Sequence, residues 1–300
     1  MLNIIQKRSW WFAFSGILVL VSVVALLVWG LRPSIDFTGG NLLELQLSNP
    51  ELNQTSLYNI IKDNNFDNNP VIQTSATENR YMIRLKSIDE VAHQALFSKI
   101  QEADPGVEEL RYEFIGSVIG QELKSRAFYA IILVVIGMIL YVAWAFRKVS
   151  YQISSWACGF IAVFALLHDI LIVLGLFAIL GHFMQVEVGL PFVAALLTIL
   201  GYSVNDTIVV FDRIRENLHK KGKHSDFEET VNISVNETIA RSINTSFTTL
   251  IVLIMVFFLG GATLKFFILA LIVGITVGTY SSIFLASTLL VTTQKFFAKR

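Results

Sequence analysis

The chain has a single cysteine in 300 residues, Cys158, and it falls inside an apolar run. No internal disulfide and no cysteine-based metal site can therefore exist, and the residue reads as a small buried hydrophobe. Charge is scarce as well: Asp, Glu, Lys and Arg make up 15% of the residues and cancel to a formal net charge of zero, which points to neither a nucleic-acid partner nor an acidic substrate. The sequence has no glycine-rich phosphate loop followed by lysine, so ATP hydrolysis is not expected, and it offers no ligand spacing for a metal. No cofactor is expected. What fills the chain instead is hydrophobic, at 54% of residues and a mean hydropathy of +0.62. That is too apolar for a soluble domain of this size, and most of it must face lipid.

Six apolar runs are long enough to cross a bilayer. The first, residues 10–31, gives roughly 33 Å at about 1.5 Å per residue. Lys7 and Arg8 precede it, but no small-residue cleavage site is evident, so it reads as an uncleaved anchor. The others cover residues 127–146, 153–180, 190–211, 243–259 and 266–290, the last two joined by a hairpin at Gly260 and Gly261. Basic residues divide unevenly across this layout. Lys7, Arg8, Arg147, Lys148, Arg213, Arg215, Lys220, Lys221, Lys223, Arg241, Lys295, Lys299 and Arg300 fall on one side, whereas the short loops of the other side receive only Lys265. Short cytoplasmic loops are the ones enriched in Lys and Arg, so both termini are predicted to be cytoplasmic. The chain then consists of residues 1–32, an N-terminal segment with the first span; 33–126, an extracytoplasmic domain; and 127–300, a five-helix region with a cytoplasmic amphipathic loop at 213–241.

Between the first two spans the pattern is that of a small α+β domain. Residues 42–47, 71–75, 81–86 and 109–115 read as strands and residues 54–64 and 88–102 as helices. The order βαββαβ predicts a ferredoxin-like split βαβ sandwich, an architecture that hosts many functions and so says little about activity. With no nucleophile beside a base, a binding or interaction domain is favoured over a catalytic one. On the cytoplasmic side Ser225 and Glu228 form a capping-box pattern, and Phe227, Val231, Val235 and Ile239 give the helix that follows one apolar face. That face could lie in the membrane interface or against a partner, or belong to an ordinary amphipathic connector.

Ionisable groups inside spans cost several kcal/mol, so each is a functional candidate with a structural alternative beside it. Asn205 and Asp206 interrupt the fourth span, and His168 and Asp169 the third. With the fourth span ending near Phe211, Asp206 lies roughly 8 Å from the cytoplasmic boundary, while Asp169 lies roughly 24 Å from that edge. Tyr202, Ser203 and Arg213 share the Asp206 side, and Arg241, Thr245, Thr248 and Thr249 make a polar stripe on the fifth span. An Asp206–Arg241 pair would keep the carboxylate ionised, and separating the two in low dielectric would favour proton uptake, the alternation a proton relay needs. The alternative is a purely structural ion pair. His168 and Asp169 read equally as relay elements or as groups at the mouth of a water-filled crevice. An aspartyl protease is disfavoured, because a dyad shares one proton and these depths set the two carboxylates roughly 15 Å apart. Gly274 and Gly278 have the small-residue spacing that lets helices approach closely.

The stretch GYSVNDTIVVFDRIREN, residues 201–217, with Asp212 and Arg213 inside it, resembles the signature of the SecF family of protein-export membrane proteins. IDFTGG at 35–40, with Asp36, Gly39 and Gly40, resembles the motif after that family's first span, which the SecD family shares; His168, Asp169, Arg241 and the run GTYSS at 278–282 also fall where SecF has similar residues. The resemblance covers nearly the whole chain. It implies a bacterial inner-membrane subunit of the resistance, nodulation and division superfamily, working with a separate SecD chain and the SecYEG channel, with YajC and YidC as further candidate partners. Such a complex uses the proton-motive force to help preproteins finish crossing the membrane. Asp206 and Arg241 match positions assigned there to proton conduction. Phe266 stands where some relatives carry a further acid. Two other readings stay open: a scaffold that moves no protons, and a half-transporter for a small molecule or lipid.

Overall fold

The computed structural model describes residues 1–68, 70–74, 79–145, 155–222, 226–261 and 264–298. After a 3-10 turn at Ile5–Lys7 come α1 (Arg8–Val28), α2 (Ile35–Thr38), β1 (Gly40–Gln46), α3 (Gln54–Asp63), β2 (Val71–Thr74), β3 (Arg80–Leu85), α4 (Glu90–Ala103) and β4 (Glu108–Ile115). Then follow α5 (Ser117–Ala145), α6 (Ser155–Phe183), α7 (Leu190–Lys221), α8 (Phe227–Leu259), α9 (Lys265–Tyr280), a π-helical segment at Ser281–Ala286 and α10 (Ser287–Ala298). The chain divides into two compact units, Pro33–Phe128 and Met1–Arg32 with Tyr129–Arg300.

In the smaller unit the strands form one sheet in the order β2-β3-β1-β4 with every neighbour antiparallel. Strand alternation turns Leu43, Leu45, Ile83 and Leu85 to one face, where they meet Leu57 and Ile61 of α3 and Leu96 and Ile100 of α4. Full burial of each such side chain contributes about 1.5–3 kcal/mol. The helix starts are legible in the chain: Asn53 accepts from the N–H groups of Thr55 and Ser56, and Asp89 from that of Ala92 at 2.8 Å. Expected and observed elements agree within two residues at each end, except that the short α2 is an addition to the expected elements and that Ser75, the expected end of one strand, lies outside the described residues.

Among the described residues six helical stretches are long and apolar enough to cross a membrane: Ile5–Val28, Ser117–Val142, Trp156–Phe183, Leu190–Lys221, Phe227–Leu259 and Lys265–Phe296. Small residues set the closest approaches. A Cβ built on Gly175 of α6 would lie 2.3 Å from the Ser22 side chain of α1, and one on Gly274 of α9 would lie 2.3 Å from Ile199 of α7.

Two helices depart from expectation. The fourth does not stop at Phe211 but runs to Lys221, where Gly222 ends it with a φ of +80°. The fifth begins at Phe227 rather than at Ile243, so residues 213–221 and 227–241 of the expected amphipathic loop are the polar ends of two long helices. Leaving an apolar setting does not break a helix; only a residue that caps or disrupts it does. The two polar arms are cross-linked by Arg213, which donates to Glu237 at 2.7 Å, and by Asn217, which donates to Ser234 at 2.9 Å. The apolar face of Phe227, Val231 and Val235 is buried within this unit. The start of the fifth helix is capped by Asp226, which accepts from the Glu228 N–H at 3.0 Å; Ser225, the expected cap, lies outside the described residues. So do Arg147, Lys148, Lys223, Lys299 and Arg300.

Candidate functional site

Hydroxyl-bearing residues and two aspartates converge where α6, α7 and the last span meet. Asp169 is fully buried. Its Oδ1 lies 2.9 Å from His168 Nδ1; its Oδ2 accepts from Ser203 of α7 at 2.6 Å and from Ser281 of the π segment at 2.8 Å. One turn along, Thr207 and Ser282 are 2.8 Å apart, and Ser282 also donates to the Ser203 carbonyl at 3.4 Å. A π-helical turn adds a residue to the local repeat, and in it the adjacent Ser281 and Ser282 reach two different helices, Ser281 the Asp169 carboxylate of α6 and Ser282 the Thr207 hydroxyl of α7. Gly278 leaves room for this, since a Cβ there would lie 3.0 Å from Ser203 Cβ and 3.5 Å from Asp169 Oδ2.

Asp206 is 7% exposed, and its Oδ2 has no hydrogen-bond partner among the described residues. The buried hydroxyl of Ser242, on α8 which packs against α7, is likewise unpartnered. Arg241 precedes Ser242 by one residue, and adjacent residues on a helix point about 100° apart. With Ser242 turned inward, Arg241 is exposed, and no Asp206–Arg241 ion pair forms among the described residues. The same rotation leaves Asn205 exposed beside a buried Asp206. Thr245 and Thr248 are exposed with Arg241, while Thr249 is part-buried with its hydroxyl 3.5 Å from that of Tyr202.

The depths expected of the two aspartates are revised. Asp206 lies 15 residues from the Lys221 end of α7 and Asp169 14 residues from the Ser155 end of α6. The Ser203 hydrogen bond sets Asp169 only three residues of α7 from Asp206, about 4.5 Å along the axis rather than about 15 Å. Ending the fourth helix ten residues early accounts for the larger figure. The two carboxylates nevertheless share no hydrogen bond among the described residues: Asp169 Oδ2 accepts from Ser203 and Ser281, and Asp206 Oδ2 has no partner.

The remaining motif residues have local work. Ser34 caps α2 by accepting from the Asp36 N–H at 3.2 Å. Gly39 has a φ of +73° and Gly40 one of +135°, and a Cβ on either would strike backbone, at 2.7 Å from Ser117 Cα and 2.5 Å from the Leu85 carbonyl. Asp212 pairs with Arg215 at 2.6 Å. Ser242 does not stand out as a site residue in the sequence, and Thr207, Ser281 and Ser282 enter it only within the motif stretches 201–217 and 278–282, with no role of their own. Outside the spans, burial pushes the Tyr112 phenol up from its usual 10.0, against the lowering effect of its hydrogen bond from Asn41.

The family described as protein export membrane protein SecD/SecF, C-terminal, matches residues 95–296, and the SecD/SecF GG motif matches residues 24–51. The chain is similar to the protein translocase subunit SecF of Thermobaculum terrenum, with 41% identity over 97% of this chain and 93% of that protein. It is similar to the same subunit of Haemophilus influenzae, with 36% identity over 94% of this chain and 82% of that protein. Among solved structures it resembles SecDF, a translocon-associated membrane protein from Thermus thermophilus, at 34% identity with a TM-score of 0.86. That match covers 98% of this chain but 39% of the solved one.

Proposed function

The chain belongs to the SecD/SecF protein-export family, and from that premise we propose that it is a SecF-type subunit of a Sec translocase, coupling proton entry to preprotein export. In this reading it pairs with a separate SecD chain and with SecYEG, with YajC and YidC as further candidates, and it acts on translocating preproteins rather than on nucleic acid. The near full-length likeness to proteins named as SecF subunits supports the assignment. The one-sided distribution of Lys and Arg supports a bacterial inner-membrane location with both termini cytoplasmic and residues 33–126 outside. The strand order β2-β3-β1-β4, with both longer helices on one face, supports a ferredoxin-like reading of that domain, which would grip or guide emerging polypeptide.

The observation that carries the proton-coupled reading is Asp206, a buried carboxylate with an unsatisfied oxygen one helix face away from the exposed Arg241. A rotation of α8 by about 100° would bring Arg241 opposite the carboxylate in place of Ser242, so the two neighbours offer it two arrangements with different demands on its charge. His168, Asp169 and Asn205 are the further relay candidates. A proton falling through 100 mV releases about 2.3 kcal/mol and each pH unit about 1.4 kcal/mol. One proton can thus bias such a pair of arrangements about 500-fold.

The test is Asp206→Asn in vesicles reconstituted with SecD and SecYEG. Export driven by an imposed proton gradient should fall at least about tenfold, with assembly intact, for loss of about 1.4 kcal/mol or more of coupling. Undiminished gradient-driven export would favour a scaffold that moves no protons.

A further inference from the structure

Asp169 is enclosed by two hydroxyls and one imidazole. The groups around it are His168 on its own helix, Ser203 and, one turn further, Asp206 on α7, and Ser281 on the last span; Tyr280, whose ring lies 6.4 Å from that of His168, is held by Ser15 of α1 at 3.1 Å. Among the described residues no lysine or arginine is hydrogen-bonded to it. His168 Nε2 is buried without a partner, which suits a neutral ring that gives its one N–H, at Nδ1, to Asp169 and leaves Nε2 bare. The ionised site is then a lone buried negative charge, and one added proton removes it.

The Ser281 hydroxyl lies between two acceptors, at 2.8 Å from Asp169 Oδ2 and 3.1 Å from the Gly278 carbonyl, and it has one hydrogen to give. Its own backbone N–H is already shared between the carbonyls of Gly278 and Val277, the three-residue and four-residue choices of a helix. Which acceptor the hydroxyl takes therefore bears on how the last span is wound at the head of its π segment.

We propose that Asp169 is a second proton-binding site of this chain, and that Ser281 passes its occupancy to the last span by changing acceptor. The inference deepens the proton-coupled reading and rests on it. A hydronium ion gives its proton to Asp169 Oδ2 and leaves as water; the new O–H donates to Ser281, whose oxygen becomes its acceptor, while Ser203 goes on donating to the carboxyl group. The Ser281 hydrogen turns to the Gly278 carbonyl, its N–H shifts to Val277, and loss of the proton reverses each step. Ser203 and Ser281 are positioning residues, acting through the carboxylate.

The test uses the full chain in phosphatidylcholine vesicles, followed by infrared difference spectra on acidification and by the distance between spin labels at Lys7 and Phe296. A carboxylic-acid carbonyl band should appear on acidification, vanish in Asp169→Asn, and persist in Asp206→Asn beside that residue's own change. Ser203→Ala with Ser281→Ala, which keeps the carboxylate, should shift the band's frequency. Ser281→Ala should abolish the pH response of the label distance, and Ser281→Thr should restore it. A wild-type chain without the band, a band that survives Asp169→Asn, or a label response indifferent to Ser281 overturns the proposal. If the band and the label response behave as expected while Asp206→Asn still exports fully under a gradient, the Asp169 site stands and the coupling role of Asp206 falls.

Discussion

At the scale of single residues, the same amino acid does opposite things according to what lies one Cβ away. Gly274 faces Ile199, which is 1% exposed, and a methyl added to Gly274 would have three of that side chain's atoms within 2.9 Å, so Gly274→Ala must push α9 off α7. Overpacking of this kind costs about 1–3 kcal/mol. Gly137, in the interior of α5, has nothing within 4 Å of such a methyl, and Ala there should gain up to about 1 kcal/mol from helix propensity. Thermal unfolding of the two variants in detergent should move in opposite directions, and equal shifts would refute the packing account. Both glycines sit in apolar helices and cannot be told apart along the chain; only the spacing of Gly274 and Gly278 hints at a close approach. Asp206 and Asp169 are legible because charge in an apolar run is conspicuous. The direction of Arg241 is not, because a stripe drawn on one helix leaves open which side of it the neighbouring helix covers.

Among the elements, the N-terminus is placed by side chains far away in sequence. Asn232 and Asn236, one turn apart on α8, clasp its backbone: Leu2 N–H donates to Asn236 at 2.7 Å, Ile4 N–H to Asn232 at 3.0 Å, and both amides donate to the Leu2 carbonyl at 3.1 and 2.9 Å. Glu228 adds ion pairs to Arg8 at 3.0 Å and to Lys295, joining the beginnings of α1 and α8 to α10. Each hydrogen bond contributes about 0.5–1.5 kcal/mol, less where exposed, so removing both amides should release the segment while Ile4 and Ile5 still hold it by burial. We expect Asn232→Ala with Asn236→Ala to speed hydrogen exchange at residues 2–5 by about tenfold, corresponding to about 1.4 kcal/mol. Unchanged exchange would mean the clasp contributes nothing. The apolar face of Phe227, Val231 and Val235 is visible in the sequence, but its burial within the same unit is not, since a period of four residues leaves the covering partner undetermined.

The whole molecule joins two kinds of solvent problem in one chain. The larger unit is built from helices that satisfy their own backbone, as an apolar surrounding demands, and in its interior Asp169 meets Ser203 and Ser281 while Thr207 meets Ser282. The smaller unit has an ordinary soluble core, with leucines and isoleucines between one sheet and two capped helices. Its strands can be read directly because period-two alternation, helix caps and turn residues are all local, whereas the π segment at Ser281–Ala286 is a response to packing that leaves no local trace. A core complete within Pro33–Phe128 predicts that this fragment, expressed without the spans, melts in a single cooperative transition by circular dichroism. The pH dependence of that transition checks the interior. Burial raises Tyr112 above 10.0, so the folded state prefers the neutral phenol. Its contribution is whole below pH 10.0 and is lost as the pH climbs through the raised value, because the unfolded chain gives up that proton first. Melting temperatures should therefore decline above about pH 10, and Tyr112→Phe, which keeps the ring stacked on His93 but cannot ionise, should lessen the decline. An equal decline in both proteins would place the alkaline sensitivity elsewhere in the fragment, and a broad, non-cooperative melt would show that the core needs the rest of the chain.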